Sequence, residues 1–216
     1  MTRRGIPFVV SAPSGTGKTT VCHRLVSADA GLGLSVSHTT RSPRPAERDG
    51  VDYHFVPRER FERLVAEGAF LEHAEYRGNL YGTSRAAVEA PLAAGRDLLL
   101  EIEVQGARQL RTRLPEARFV FLLPPSRAEL EHRLRARGTE SDEVIARRLD
   151  VAAQELPEVL RYDYAVVNDV LDAAVDRVLE IVRGEREGRR AELLARFDPA
   201  TVLAGVGGLA ALIGRG

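Results

Sequence analysis

The segment Ala12-Pro-Ser-Gly-Thr-Gly-Lys-Thr19 constrains this chain more than any other stretch. It fits the phosphate-loop spacing G-x-x-x-x-G-K-[ST], with Ala12 in place of the first glycine. Such a loop works only between a buried strand and the start of a helix, and the flanks agree. Ile6-Pro-Phe-Val-Val10 is an apolar run suited to a buried parallel strand. Thr19 to Val26 places Val21, Leu25 and Val26 at helical spacing. The amide N–H groups of the loop and the helix N-terminus then face an anion. The spacing predicts a triphosphate cradle from Ala12, Pro13, Ser14, Gly15, Thr16, Gly17, Lys18, Thr19 and Thr20, with Gly15 and Gly17 supplying the unusual backbone angles. Lys18 reaches for the outer phosphates and the Thr19 hydroxyl for magnesium. Lys18 is also the sole lysine among 31 Lys+Arg residues, the rest being arginine. A compact ammonium on a thin stem fits a tight loop where a planar guanidinium fork does not.

Composition narrows the setting. At 216 residues the chain suits one ordinary domain with room for a small inserted subdomain. Thirty-one acidic residues balance 31 basic ones, so no global field draws the chain to nucleic acid or a membrane surface. One cysteine, Cys22, excludes an internal disulfide framework and reads as a small core residue on the first helix. The first strand begins within six residues, which leaves no room for a signal peptide, and no run approaches the ~20 apolar residues of a spanning helix. A cytoplasmic protein is expected.

Strand-like runs alternate with helical stretches. Residues 97–102, 118–123 and 164–168 read as buried strands, and a helix is predicted over about 170–183. This is the pattern of a parallel α/β sheet with helices on both faces. Between about 35 and 90, prolines and glycines break the chain into short segments, read as a small mixed subdomain inserted into the sheet. Residues 124–160 predict two helices. Ser126 and Glu129 form a capping box at the first, Gly138 ends it, and Ser141 caps the second. A charged helix fits 185–197. The stretch Leu203 to Ile213 carries too many glycines for a confident helix, so the end of the chain is expected to be disordered or loosely packed.

A phosphate loop binds ATP or GTP and leaves the acceptor open. Ser35-Val-Ser-His-Thr-Thr-Arg-Ser-Pro-Arg44 narrows it. Arg41 and Arg44 lie three apart in a proline-stiffened stretch, where two guanidinium forks can clamp a second phosphate, although a solvated basic turn reads the same way. Tyr53 and Tyr81 can add hydroxyl donors, and Glu72 stands in Phe70-Leu-Glu-His73.

Taken in order, Ser-Ala-Pro-Ser-Gly-Thr-Gly-Lys18, Val-Ser-His-Thr-Thr-Arg-Ser-Pro-Arg44, Gly-Val-Asp-Tyr-His-Phe55, Tyr-Gly-Thr83, Glu-Ile-Glu-Val-Gln-Gly106, Arg-Leu-Arg-Ala-Arg-Gly-Thr139 and Val-Val-Asn168 resemble guanylate kinase, bacterial type, over about 5–184. Bacterial members of that family also carry alanine at the Ala12 position. The resemblance implies the P-loop nucleoside monophosphate kinase fold. A core over about 5–34, 91–124 and 161–184 carries a GMP-binding subdomain over about 35–90 and a lid over about 125–160; a tail over 185–216 lies outside it. It implies transfer of the γ-phosphoryl group of ATP to GMP, and to dGMP, within purine nucleotide metabolism.

By the same resemblance, Arg41, Arg44, Tyr53 and Tyr81 hold the GMP phosphate, Ser37 and Thr83 face guanine O6, and Glu72 with Glu103 face N1 and N2. Guanine presents donors on that edge and ionised carboxylates only accept, whereas adenine would turn a lone pair on them. Relatives mostly carry aspartate at the Glu103 position. Glu101 and Glu103, two apart on a strand, share one side of the pleat, and Glu101 acts near magnesium through water. Arg133, Arg137 and Arg148 belong to a lid over ATP, Asn168 lies near adenine, and Arg135 and Arg147 read as solvated. Catalysis falls to Lys18, Arg41, Arg137 and Arg148, with Mg²⁺ accompanying ATP. No general base is needed, because a phosphate monoester with a second pKa of about 6 is already dianionic at neutral pH. Two other readings compete: a kinase for a different monophosphate, against which the acceptor-only pair speaks, and a non-catalytic kinase-like interaction module, against which Lys18, Arg137 and Arg148 speak. The sequence leaves monomer or homo-oligomer open.

Overall fold

The computed structural model describes residues 3–76, 78–136 and 141–214. Strand β1 (Pro7–Ser11) is buried throughout, and α1 (Lys18–Ala28) follows the glycine loop. Next come β2 (Leu32–Leu34), β3 (His38–Thr39), β4 (His54–Phe55), α2 (Arg58–Ala66), β5 (Phe70–Tyr76), β6 (Asn79–Ser84) and α3 (Arg85–Ala93). Strand β7 (Asp97–Glu101) leads into α4 (Val104–Arg113), and β8 (Arg118–Leu123) into α5 (Arg127–Arg135) and α6 (Asp142–Glu155). A 3-10 turn over Leu156–Arg161 precedes β9 (Tyr164–Val167) and α7 (Leu171–Arg186). The chain closes with α8 (Arg190–Phe197), α9 (Pro199–Gly205) and α10 (Gly208–Ile213). It divides into two compact units, Met1–Pro7 with Gly31–Ala117, and Phe8–Ala30 with Arg118–Gly216.

The unit that contains the glycine loop is built on parallel strands. β1 pairs with β8 (Val9 opposite Phe119) and β8 with β9 (Phe121 opposite Ala165). Their side chains form an unbroken apolar run because both faces are covered. Phe8, Val10, Val120, Phe121, Leu122 and Tyr164 are all fully buried. Helix α7 packs on α1 and β9, and α8 and α9 pack on β9. Helices α5 and α6 share their own core of Leu130, Leu134, Ile145, Leu149 and Ala152.

The other unit pairs β2 with β7 in parallel and adds a four-stranded mixed sheet in the order β4-β3-β6-β5. β5 and β6 form an antiparallel hairpin that sets Glu72 directly opposite Thr83, with a register shift between Phe70 and Glu72. β3 runs antiparallel to β6 and parallel to β4. Phe61 of α2 stacks on Phe70 at 4.6 Å and anchors the helix to this sheet. Parallel strands with connecting helices and an inserted mixed sheet are the α/β class expected.

Three local expectations are corrected. The end of the chain is helical: Asp198 caps α9 by accepting from Thr201 N at 2.8 Å, with Pro199 in the first turn. The troublesome Gly207 and Gly208 fall at the start of α10, as its N-cap and its first residue, where both take positive φ (82° and 83°). Leu193, Phe197, Leu203 and Leu212 are buried, so this segment packs through those side chains. Second, Ser126 caps α5 through Glu129 N as expected, but Ser141 at the N-cap of α6 makes no such bond; its hydroxyl serves the Glu143 carboxylate instead. Third, the strand ends at Glu101, so Glu103 is the N-cap residue of α4 and the shared-pleat argument does not apply to the pair. The expected helix break at Gly138 lies outside the described residues, as does Arg137.

Candidate active site

In the first unit described above, the chain leaves β1 at Ser11 and turns tightly, with Thr16 N donating to Pro13 O at 3.2 Å. Gly15 and Gly17 take φ of 92° and 95°, angles that side-chain-bearing residues avoid. They are also hemmed in: a Cβ on Gly15 would strike Leu134 Cδ2 at 2.6 Å, and one on Gly17 would meet Asn168 Nδ2 at 2.9 Å. Gly17 is the N-cap of α1, so the positive end of the helix lies at Lys18 and the exposed Thr19 and Thr20. The first turn of α1 carries no acidic residue. Ala12 and Pro13 are buried, and Thr16 Oγ1 is buried without a hydrogen-bond partner among the described residues.

Three side chains from distant sequence converge on this loop. The buried Arg148 of α6 donates to Ser14 Oγ at 2.7 Å. Asn168, just past β9, donates to Thr16 O at 2.6 Å. Arg133 of α5 reaches Asn168 O at 2.9 Å, Thr16 O at 3.4 Å and Asp169 O at 3.3 Å, while Glu129 holds its Nε at 2.8 Å. Arg133 and Asn168 are expected at the nucleotide; here Asn168 is engaged by the loop carbonyl of Thr16, and Arg133 by Glu129 and by the carbonyls of Thr16, Asn168 and Asp169. Arg147 is exposed, and Arg135 is half-exposed and paired with Glu131 and Asp142, both as expected of solvated residues.

The mixed-sheet unit gathers a second set. Glu72, almost fully buried at 4% exposure, accepts from Thr83 Oγ1 at 2.7 Å, and Thr83 Oγ1 lies 3.2 Å from Ser37 Oγ. An ionised carboxylate only accepts, so the proton order runs Ser37 to Thr83 to Glu72. The hydroxyls expected to donate to guanine O6 are thus partly committed, and Ser37 is the one able to rotate. Glu103 is exposed at the start of α4, and Glu101 is half-buried at the end of β7.

Nearby, Arg41 and Arg44 differ sharply. The Arg41 guanidinium makes a two-pronged bond with Glu47, at 2.9 and 2.8 Å, and lies over the rings of Tyr53 and Phe55 at 5.5 and 5.7 Å. Tyr81, whose ring is 6.1 Å from that of Tyr53, also hydrogen-bonds Arg41. Arg44 is exposed and its N–H caps Glu47 at 2.8 Å. The Arg41 hydrogen bond is the main cause that holds Glu47 below the usual carboxylate range. The sequence analysis does not single out Glu47; its signal is an acid in a short Pro-rich stretch, three residues after Arg44 and six after Arg41.

A phosphate loop opening a helix on parallel strands, braced by arginines, defines a P-loop nucleotide-binding protein of α/β class. The comparisons narrow this. The guanylate kinase family model matches residues 4–185. The guanylate kinase of Alkalilimnicola ehrlichii is 54% identical over 84% of this chain and 90% of its own length. That of Anaeromyxobacter dehalogenans is 55% identical over 84% and 81%. The crystal structure of guanylate kinase from Anaplasma phagocytophilum matches with a TM-score of 0.69 at 36% identity, covering 84% of this chain and 86% of that one. The chain belongs to the guanylate kinase family. Helices α8, α9 and α10 lie beyond the matched residues.

Proposed function

We propose a division of labour for the phosphorylation of GMP to GDP by ATP, the reaction this chain carries out as a member of its family. The loop Ala12–Thr20 holds the ATP phosphates, with Lys18 on the outer ones. Arg148 and Arg137 supply positive charge to the transferring group. Asn168 acts chiefly by holding the loop carbonyl of Thr16, and Arg133 by holding Thr16 and Asn168 together, roles their hydrogen bonds support. Arg41, Arg44, Tyr53 and Tyr81 receive the GMP phosphate, Ser37 and Thr83 address guanine O6, and Glu72 and Glu103 accept from N1–H and the 2-amino group.

The observation that carries the acceptor assignment is the buried Glu72 at the end of a hydroxyl chain. A buried acceptor-only group selects a base edge that donates, and leaves an adenine lone pair facing a carboxylate. A site of this kind rejects an analogue lacking the donors by roughly 10⁴ or more. The nucleophile is a dianionic phosphate and needs no base; what opposes transfer is repulsion between two polyanions. Lys18 and the arginines reduce that repulsion and fix the reacting groups in line.

The residues suit Mg²⁺, a hard cation that takes oxygen ligands and is usually held through one or two protein groups plus substrate phosphates. Thr19 offers an exposed hydroxyl beside the loop, and Glu101 is proposed to act through water. When bound, the ion neutralises phosphate charge. A cytoplasmic location is proposed with this role; among the described residues no helix is long and apolar enough to cross a membrane. The test is an ADP-release assay with Mg·ATP, offering GMP, dGMP, AMP, UMP and TMP separately. Turnover with GMP and dGMP alone is expected, and equal turnover with AMP would overturn the acceptor assignment.

A further inference from the structure

Helix α4 lies against β5, the strand that carries Glu72, and it is fastened there at two levels. Gln109 donates to His73 O at 2.7 Å and accepts from His73 N at 3.3 Å. One turn further on, Arg113 donates to Leu71 O at 3.0 Å. The fastened residues flank Glu72 on both sides in the strand. Gly106, three before Gln109 and seven before Arg113, shares their helix face. It is buried, and it fills the place where α4 meets the Glu72 carboxylate.

There is no space for a side chain at that point. A Cβ on Gly106 would stand 2.8 Å from Ile102 Cγ2 and 3.0 Å from Glu72 Cδ, with Glu72 Oε2 closer still. The φ of Gly106 is not in the left-handed region, so the demand is for room rather than for an unusual backbone angle. Ordinary carbon contacts begin at about 3.5 Å. The helix cannot withdraw without breaking the Gln109 and Arg113 bonds, so the carboxylate, as the end of a flexible side chain, is what moves. Its retreat is about 0.5–1 Å, against a group already held by Thr83.

We propose that Gly106 is a positioning residue for guanine recognition: its missing side chain lets α4 clamp the Glu72 carboxylate in the place from which it accepts from the purine. The proposal rests on the reading of Glu72 as the guanine acceptor. Displacement by a fraction of an ångström weakens hydrogen bonds made to a charged group, each worth about ten- to a hundredfold in affinity. The three atoms nearest to that Cβ belong to Glu72 and Ile102, so the displacement falls on the guanine acceptor. Alanine is also a better helix former than glycine, so the helix itself gains from the change.

The experiment compares parent, Gly106→Ala and Glu72→Gln in steady-state kinetics with GMP and with IMP, which keeps N1–H but lacks the 2-amino group, and records the melting temperature of each. Gly106→Ala is expected to raise KM for GMP about ten- to a hundredfold, to narrow the preference for GMP over IMP at least about fivefold, and to leave KM for ATP unchanged. A merely structural role would lower kcat and stability without touching the GMP-to-IMP ratio. If Glu72→Gln narrows the ratio and Gly106→Ala does not, Gly106 has no positioning role. If Glu72→Gln leaves the ratio intact, the guanine assignment of Glu72 falls, and the proposal with it. Should Gly106→Ala fail to fold, Gln109→Ala decides: releasing α4 from His73 is expected to narrow the same ratio, and an unchanged ratio there overturns the proposal.

Discussion

Glu185 lies at the C-terminal end of α7 with its carboxylate almost fully buried, at 3% side-chain exposure. It accepts from Arg118 Nε at 2.8 Å, from Arg190 at 2.5 Å and from the Tyr164 hydroxyl, while Arg190 also pairs with Asp163 at 2.9 Å. The group joins β8, β9, α7 and α8. Replacing Glu185 with alanine orphans the hydroxyl of Tyr164, a fully buried residue, at a cost of about 1–3 kcal/mol. It also strips two arginines of a shared counter-ion. Arg118 and Arg190 are 25% and 36% exposed and regain some hydration, and Arg190 keeps Asp163. Breaking a buried ion pair costs about 3–5 kcal/mol, so the lower half of that range, about 3–4 kcal/mol, is expected. For a chain of this length each kcal/mol is worth about 2–4 °C, giving a fall of about 6–16 °C in melting temperature. The control is Asp172→Ala, which removes the exposed pair with Arg24 (2.6 Å; 55% and 73% exposed) and should shift the midpoint by no more than about 4 °C. Calorimetry with and without ATP measures both. A Glu185→Ala variant that melts with the control would refute the network's role. The same group predicts a pH effect. Burial, then the Glu185 hydrogen bond, pushes the Tyr164 pKa up, so the fold favours the neutral phenol. Its contribution is full below about pH 10, the unfolded value, and is lost as pH rises above it; Tyr164→Phe should flatten that alkaline decline.

Four further outcomes are expected. Lys18→Arg should lose nearly all turnover, because the fork does not fit the loop; a near-normal kcat would remove the steric reasoning. Arg148→Ala should lower kcat by about 10³-fold or more while KM for GMP changes little, and a reversed pattern would place Arg148 in substrate binding instead. Glu47→Ala frees Arg41 from its two-pronged partner and should raise KM for GMP about tenfold, the lower end of the worth of one charge-assisted hydrogen bond, with kcat less affected. His38, lowered to a pKa of about 4 chiefly by burial and then by His54, is neutral in the folded state. Its stabilisation is present above about pH 6.5 and is lost as pH falls toward 4, so urea midpoints should drop across that interval and a His38→Asn variant should drop less.

Local signals carried most of the fold. The loop, the apolar strands and the Ser126 cap are each decided by residues adjacent in sequence, and all appear where the pattern puts them. What the pattern missed is decided by distant neighbours. Gly207 and Gly208 look like helix breakers until they are seen to start α10, after α9 has ended. Glu101 and Glu103 look like strand partners until the chain is seen to leave β7 between them. The site shows the same divide. The residue types at Arg41, Glu72 and Thr83 were legible, but the binding of Arg41 to Glu47 and the pressure of α4 on Glu72 depend on contacts across 6 and 34 positions of sequence. Asn168 and Arg133 carry no local mark that their donors turn to the carbonyls of residues far earlier in the chain.

The composition that leaves one ammonium group on a side chain has a practical consequence. An amine-selective reagent, or a lysine bearing an isotopic label, addresses Lys18 and the chain's α-amino group and nothing else. Spectra of a single labelled lysine would therefore report directly from the phosphate loop, free of overlap, as nucleotides come and go.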